Sequence, residues 1–216
     1  TTVTKIGEYA FKQCEDLAKM QFNAKKCTLD GGVGPFERAG LNADSLTVTF
    51  GAEVTEIPAG LFYHYSDEYF THITAVEMSD SITTIGEAAF QNCVDLEKVT
   101  FGAKVSTIGK SAFNNCGKLQ ELVFGTGLKE IGNYAFEECA SLNKLVLPEG
   151  LTTIGYEAFS NAGLTELTVP TTVTKIGQYA FKQCLDLNKI QFNAKNCTMD
   201  GSITPFEKAG LNANSL

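Results

Sequence analysis

Seven cysteines and two histidines are the residues of this 216-residue chain whose types could do chemistry. Thiolates and imidazoles hold zinc, pair as disulfides or act as nucleophiles. Their spacing argues for none of these. Cys14, Cys93, Cys116, Cys139 and Cys184 each lie three residues after a phenylalanine, and Ala39, Ala162 and Ala209 fill the same slot elsewhere. A slot that accepts Cys or Ala is small and buried, and a free thiol there behaves as a small hydrophobe. Thiols filed in a row, one strand spacing of about 4.8 Å apart, do not converge on a tetrahedral metal, and their parallel Cβ vectors suit a disulfide poorly. Cys27 and Cys197 read as core substitutes near a Val/Leu column, with a bridge to Cys14 or Cys184 as the alternative. His64 and His72 lie eight residues apart with no order of partners that marks a nucleophilic triad. Gly109-Lys110-Ser111 resembles the end of a phosphate loop, but Lys104 stands where that motif needs its first glycine. Asp30-Gly31 and Asp200-Gly201 read as turns, because no comb of carboxylates follows to hold calcium. Asn196-Cys197-Thr198 fits a glycosylation acceptor, yet its twin copy has Lys26 in place of the Asn. The expectation is a non-enzyme with no metal and no cofactor.

The elements that must position these residues are written as a repeat. Phe11, Phe36, Phe62, Phe90, Phe113, Phe136, Phe159, Phe181 and Phe206 form one column with steps of 22 to 28 residues. A fixed period in this range is the mark of a solenoid, each unit stacked on its neighbours. In each coil, positions such as Leu119, Leu122 and Phe124, or Leu96, Val99 and Phe101, are the inward residues of a short strand. Gly102, Gly125, Pro148 and Pro170 end these strands. A second β-branched run follows, as in Val105-Ser106-Thr107-Ile108, then Gly109, then Ala112-Phe113. The glycine suits a change of backbone direction at positive φ. The run Gly-x-x-Ala-Phe is short, so a 3₁₀ or one-turn helix is predicted there. One coil alone buries too little to offset its ordering entropy, so stacking is obligatory.

A longer repeat overlies the short one. Residues 1–46 reappear as residues 171–216 with 35 of 46 positions identical, an offset of 170 residues, or seven coils. Residues 1–216 therefore read as a single solenoid of about nine coils. The chain starts within a repeat, without an initiator Met or a leader pattern, and reads as a segment of a longer array. The net charge of −8 argues against nucleic acid as a partner. No run approaches the roughly 18 consecutive apolar residues of a membrane span, so direct insertion is not expected.

The pattern Ile-Gly-x-x-Ala-Phe-x-x-Cys-x-x-Leu-x-x-Leu-x-Leu/Phe, shown by Ile131, Gly132, Ala135, Phe136, Cys139, Leu142, Leu145 and Leu147, resembles the BspA-like leucine-rich repeat. Three coils depart from it: Gly31 and Gly201 replace the Ile, and Pro58 replaces the Gly. The resemblance implies an α/β, strand-dominated, right-handed leucine-rich-repeat superhelix. A parallel β-sheet would form one face, with short strands and one-turn helices on the other. It also implies a secreted or cell-surface protein of adhesive function, whose partner is a host or neighbouring-cell protein or glycan. The other reading is a structural spacer that carries further domains and has no ligand of its own.

Two sets of residues stand out as contact candidates. Between Phe62 and the strand that starts at Ile73, coil three carries five extra residues, and Tyr63, His64, Tyr65, Tyr69 and His72 crowd there. Aromatics with polar handles suit a contact surface, although Tyr65, in the cysteine slot, could simply pack. On the strands, Lys98, Glu121, Lys144, Glu166 and Lys189 occupy one position in successive coils and should stack as an alternating charge ladder that fixes register. Open apolar ends of the stack invite end-to-end self-association.

Overall fold

The phenylalanine column dictates how the coils meet. In the computed structural model, which describes residues 3–32, 34–64, 71–200 and 204–212, the nine rings form one continuous file. Successive centroids, from Phe11–Phe36 to Phe181–Phe206, lie between 4.8 and 5.4 Å apart. Seven of the eight pairs are stacked nearly parallel; Phe36 and Phe62 tilt by 31°. The rings from Phe36 to Phe181 are buried, whereas Phe11, at one end of the file, is 42% exposed. The ring spacing matches the strand spacing of a sheet, about 4.8 Å, so one repeat per coil puts ring on ring.

Two further columns flank the rings. Leu46, Ile73, Leu96, Leu119, Leu142, Leu164 and Leu187 are fully buried where each coil enters its front strand. Ile57, Ile85, Ile108, Ile131, Ile154 and Ile176 are fully buried on the back strands and pair one to the next in parallel register. The front strands form two parallel sheets. The first runs through Lys19–Phe22, Leu46–Phe50, Ile73–Glu77, Lys98–Thr100 and Glu121–Val123. The second runs through Lys144–Val146, Glu166–Val169 and Lys189–Phe192. On the back, Lys5–Gly7 pairs with Thr28–Asp30, and seven two-residue strands from Glu56–Ile57 to Thr198–Met199 make one sheet. The chain is thus a parallel-strand solenoid of about eight full turns.

The corner between back and front strands departs from expectation. Among the described residues there is no helix. In coil four the amides alternate. Ala89, Gln91 and Cys93 bond within the turn to Gly86, Ala88 and Phe90, while Ala88, Phe90 and Asn92 donate to Lys110, Ala112 and Asn114 of the next coil. A helix would spend all these donors along its own axis. The alternation instead makes the corner a third intercoil ladder. It requires left-handed residues at two slots per coil, here Ala88 (φ 55) and Asn92 (φ 63), and in coil five Ser111 (φ 54) and Asn115 (φ 56). Asparagine recurs in the second slot, at Asn92, Asn115 and Asn161, as its tolerance of this region predicts.

The repeating glycine has a different role from the one expected. Gly86, Gly109, Gly132, Gly155 and Gly177 do not take positive φ. A Cβ on Gly132 would instead stand 2.8 Å from backbone atoms of Ile108 and Gly109, and one on Gly86 would stand 2.4 Å from the Ala59 nitrogen. These glycines let one coil's backbone lie against the next.

All seven thiols are free. Cys116 and Cys139 direct Sγ to the carbonyls of Phe90 and Phe113 one coil back, each at 3.3 Å, and Cys184 does the same to Phe159 at 3.2 Å. Burial pushes the Cys139 and Cys184 thiols up to about 12. Cys27 and Cys197, half-buried, direct Sγ to the neighbouring carbonyls of Thr28 and Thr198.

Candidate functional site

Coil three sorts its candidate residues into different places. Tyr65 and Tyr69 lie outside the described residues. Tyr63 is half-buried, and its backbone is tied on both sides, to the Gly60 carbonyl at 3.1 Å and to the Gly34 amide at 2.9 Å. His64 is fully buried, so it is not part of an exposed contact surface. The hydrogen bonds explain why. Thr71 donates its hydroxyl proton to the Phe36 carbonyl at 2.7 Å, so the hydrogen between His64 and Thr71 sits on the imidazole Nε2. His64 Nδ1 is then a buried lone pair with no partner among the described residues. Removal from water pushes His64 down to about 4, and the ring is neutral. Thr71 makes to Phe36 the bond that the cysteines make in other coils. The far end of the inserted segment therefore fills that slot with a hydroxyl, a role the sequence assigned to Tyr65.

His72 belongs to another column. Its Nδ1 lies 2.7 Å from Asp95 Oδ2, and Lys118 Nζ meets the other carboxylate oxygen. These three residues hold equivalent places just before the buried Ile73, Leu96 and Leu119. Burial alone would raise the Asp95 carboxyl, but hydrogen bonds from Lys118 and His72 hold it below its ordinary range. His72 is thus committed to a buried carboxylate. Lys110, of the apparent phosphate-loop string, is committed likewise, to Glu87 at 3.0 Å.

The front strands bring two pairs of the alternating charges together. Lys98 Nζ lies 3.0 Å from Glu121, and Lys189 Nζ lies 3.1 Å from Glu166. Lys144 is in register with Glu166, although the strand that carries it and the strand of Glu121 fall in different sheets. Two residues further along these strands, where solvent-facing positions are usually polar, stand Val123 and Val146, 43% and 68% exposed. Sequence reasoning passed over them because a valine in a strand reads as core; the signal was their phase, out of step with Leu122 and Leu145. A groove of about 530 Å³ opens on the same front face in coils one to three, lined by Lys19, Met20, Gln21, Thr47, Thr49 and Glu77.

A third cluster escaped the sequence reading altogether. Tyr134, Tyr156 and Tyr179, on the corners of coils six to eight, touch edge to face with centroids 5.3 and 5.8 Å apart. Their signal was the recurrence of tyrosine one or two residues after the repeating glycine in three consecutive coils.

Comparison with known proteins agrees with this architecture. The BspA type leucine rich repeat region matches in six copies, over residues 1–68 and 56–188. Among solved structures, a leucine-rich repeat protein of T. pallidum is 33% identical over 54% of this chain and 57% of its own, with a TM-score of 0.53. A leucine-rich repeat protein from Eubacterium ventriosum is 32% identical over 58% of this chain and 33% of its own, with a TM-score of 0.54. One from Bacteroides ovatus, 24% identical, shares the fold over 96% of this chain and 57% of its own, with a TM-score of 0.67. The chain spans between 33% and 57% of the length of these structures. No curated protein matches it. Repeats that match along most of the length, and the stacked parallel coils they build, establish that this chain belongs to the BspA type leucine-rich-repeat family.

Proposed function

We propose that the chain is a non-enzymatic protein-interaction module of a cell-surface or secreted protein, adhesive in role, and that its front strands are the contact face. The observation that carries this is the pair of uncovered valines, Val123 and Val146, beside charged side chains Lys98, Glu121, Lys144 and Glu166. An apolar centre with a charged rim is the anatomy of a protein interface. Isolated surface valines are ordinary; here two stand at the same strand position in successive coils. The aromatic segment of coil three remains a second contact candidate through Tyr63, Tyr65 and Tyr69.

The spacer reading rests on a different observation, the 170-residue super-repeat with 35 of 46 checked positions kept. An array of extracellular-matrix proteins and glycans separates the two. The interaction reading expects a protein spot to bind the chain and to lose it on Val146→Glu, with the melting temperature unchanged. Absence of binding to every spot favours the spacer, and binding indifferent to both Val146→Glu and Val123→Glu removes the front strands as the contact face.

A further inference from the structure

The tyrosine row lies on the corners, away from the front strands, and the molecule itself shows what such rings hold. In coil eight, Lys182 Nζ sits 4.7 Å from the centre of the Tyr179 ring. In coil one, Lys12 Nζ, paired with Glu37 at 2.8 Å, sits 4.8 Å from the centre of the Tyr9 ring. Both pairs use the same two slots, the left-handed residue before the Ala of the Ala-Phe pair and the residue just after the column Phe. An ammonium over a tyrosine face is held by the ring quadrupole.

Coil six keeps the ring and reverses the charge. Tyr134 occupies the slot of Tyr179, and the slot of Lys182 is filled by Glu137. One carboxylate oxygen of Glu137 accepts a hydrogen bond from Asn114 Nδ2 at 2.9 Å. Coil seven has Tyr156 packed on both Tyr134 and Tyr179, with Glu157 beside it and Ser160 in the lysine slot. Neither Tyr134 nor Tyr156 has a lysine over its ring among the described residues; the Tyr156 hydroxyl bonds to Glu157, which lies beside Glu137. We infer that Tyr134 and Tyr156, with Glu137 and Glu157, form a docking site for an arginine- or lysine-bearing segment of a protein partner. The cation would cover a tyrosine face and hydrogen-bond to the carboxylates.

Charge complementarity selects this occupant. A guanidinium stacks its plane on an aromatic ring while its fork reaches a carboxylate, so arginine can use both halves of the site at once. An acidic or neutral partner would leave neighbouring carboxylates uncompensated. Their mutual repulsion already shows, because burial and the charges of Glu157 and Glu138 push Glu137 up to about 7. Binding of a cation should therefore release a proton at neutral pH and tighten as pH rises from 6 to 8.

The test uses an uncharged-ended triarginine peptide as the probe, with affinity read by calorimetry and the site by NMR shifts of the tyrosine rings. Glu137→Lys converts coil six to the arrangement of coil eight, so the fold has a template for it and the site fills its own slot. Expected results are saturable binding at low salt, shifts confined to Tyr134 and Tyr156, and a loss of tenfold or more in Glu137→Lys. Glu53→Lys, a remote exposed change of the same net charge, should weaken binding less than twofold. Equal weakening by the two variants would reduce the effect to bulk charge and overturn the site. So would absence of peptide binding, or an oligosaccharide titration that shifts the same rings and is unaffected by Glu137→Lys.

Discussion

At the scale of single residues, the chain separates identity from role. Gly132 is conspicuous in the sequence, but only the stacked backbones show why it is glycine. Gly132→Ala would push a Cβ to 2.8 Å from backbone of the coil behind, with no flexible side chain to yield. It should cost about 1–3 kcal/mol or more as an overpacking change, measured by urea unfolding. If Gly132→Ala were as stable as the wild type, the close-approach account would fail. Two titratable groups bias stability with pH in opposite directions. His64, held down to about 4, binds fewer protons folded than unfolded, so its contribution is full above 6.5 and is lost as pH falls toward 4. Glu137, raised to about 7, binds more protons folded, so its contribution is full below 4.5 and is lost as pH rises through 7. Glu137→Gln should therefore gain on the wild type between pH 4.5 and pH 8, by on the order of 1 kcal/mol after solvent screening of this half-exposed group. A wild-type-to-variant difference flat in pH would show that Glu137 titrates normally.

At the scale of the element, the strands were legible because alternation of buried and exposed positions has a local signature. The corners were not. A short Gly-x-x-Ala-Phe run suits one helical turn taken alone, and what defeats the helix is the next coil, which claims alternate amides. The cysteine slot is a small buried slot at Cys93, Cys116, Cys139 and Cys184, as read, whereas Cys14, in the first coil, is exposed. The thiol-to-carbonyl bond that fills it, and the Thr71 hydroxyl that substitutes in coil three, required the neighbouring coil. The same distinction applies to the strand-face charges. Their order is visible in sequence; their contact is a matter of register. Because Glu121 pairs with Lys98 and the next coil places Lys144 nearby, Glu121→Lys should lower stability by about 0.5–1 kcal/mol at low salt, the upper range of exposed pairs. The double reversal Lys98→Glu with Glu121→Lys should recover part of it. A double variant no better than the sum of its singles would remove the ladder as a register device.

At the scale of the whole molecule, the outermost coils of the stack are left uncovered. Phe11, Tyr9 and Val3 are exposed at one end, and Leu211, Met199, Phe192 and Ile190 at the other. The 216-residue chain should therefore associate end to end, with a weight-average mass in sedimentation equilibrium that rises with concentration. Phe11→Glu should suppress this, and a strictly monomeric wild type at millimolar concentration would count against it. Amino-acid sequence by itself determined that this protein is a solenoid, where its coils divide, and that its phenylalanines form one file. It could do so because a repeated sentence imposes the same local preferences on every coil, and only stacking satisfies them all. Tertiary structure alone decided that the corners are ladders and not helices, that His64 lies inside, and that Val123 and Val146 lie outside. It also decided that three tyrosines from separate coils share one surface. Each of these depends on what lies about 5 Å away in the next coil, more than twenty residues distant in the chain, where no local propensity reaches.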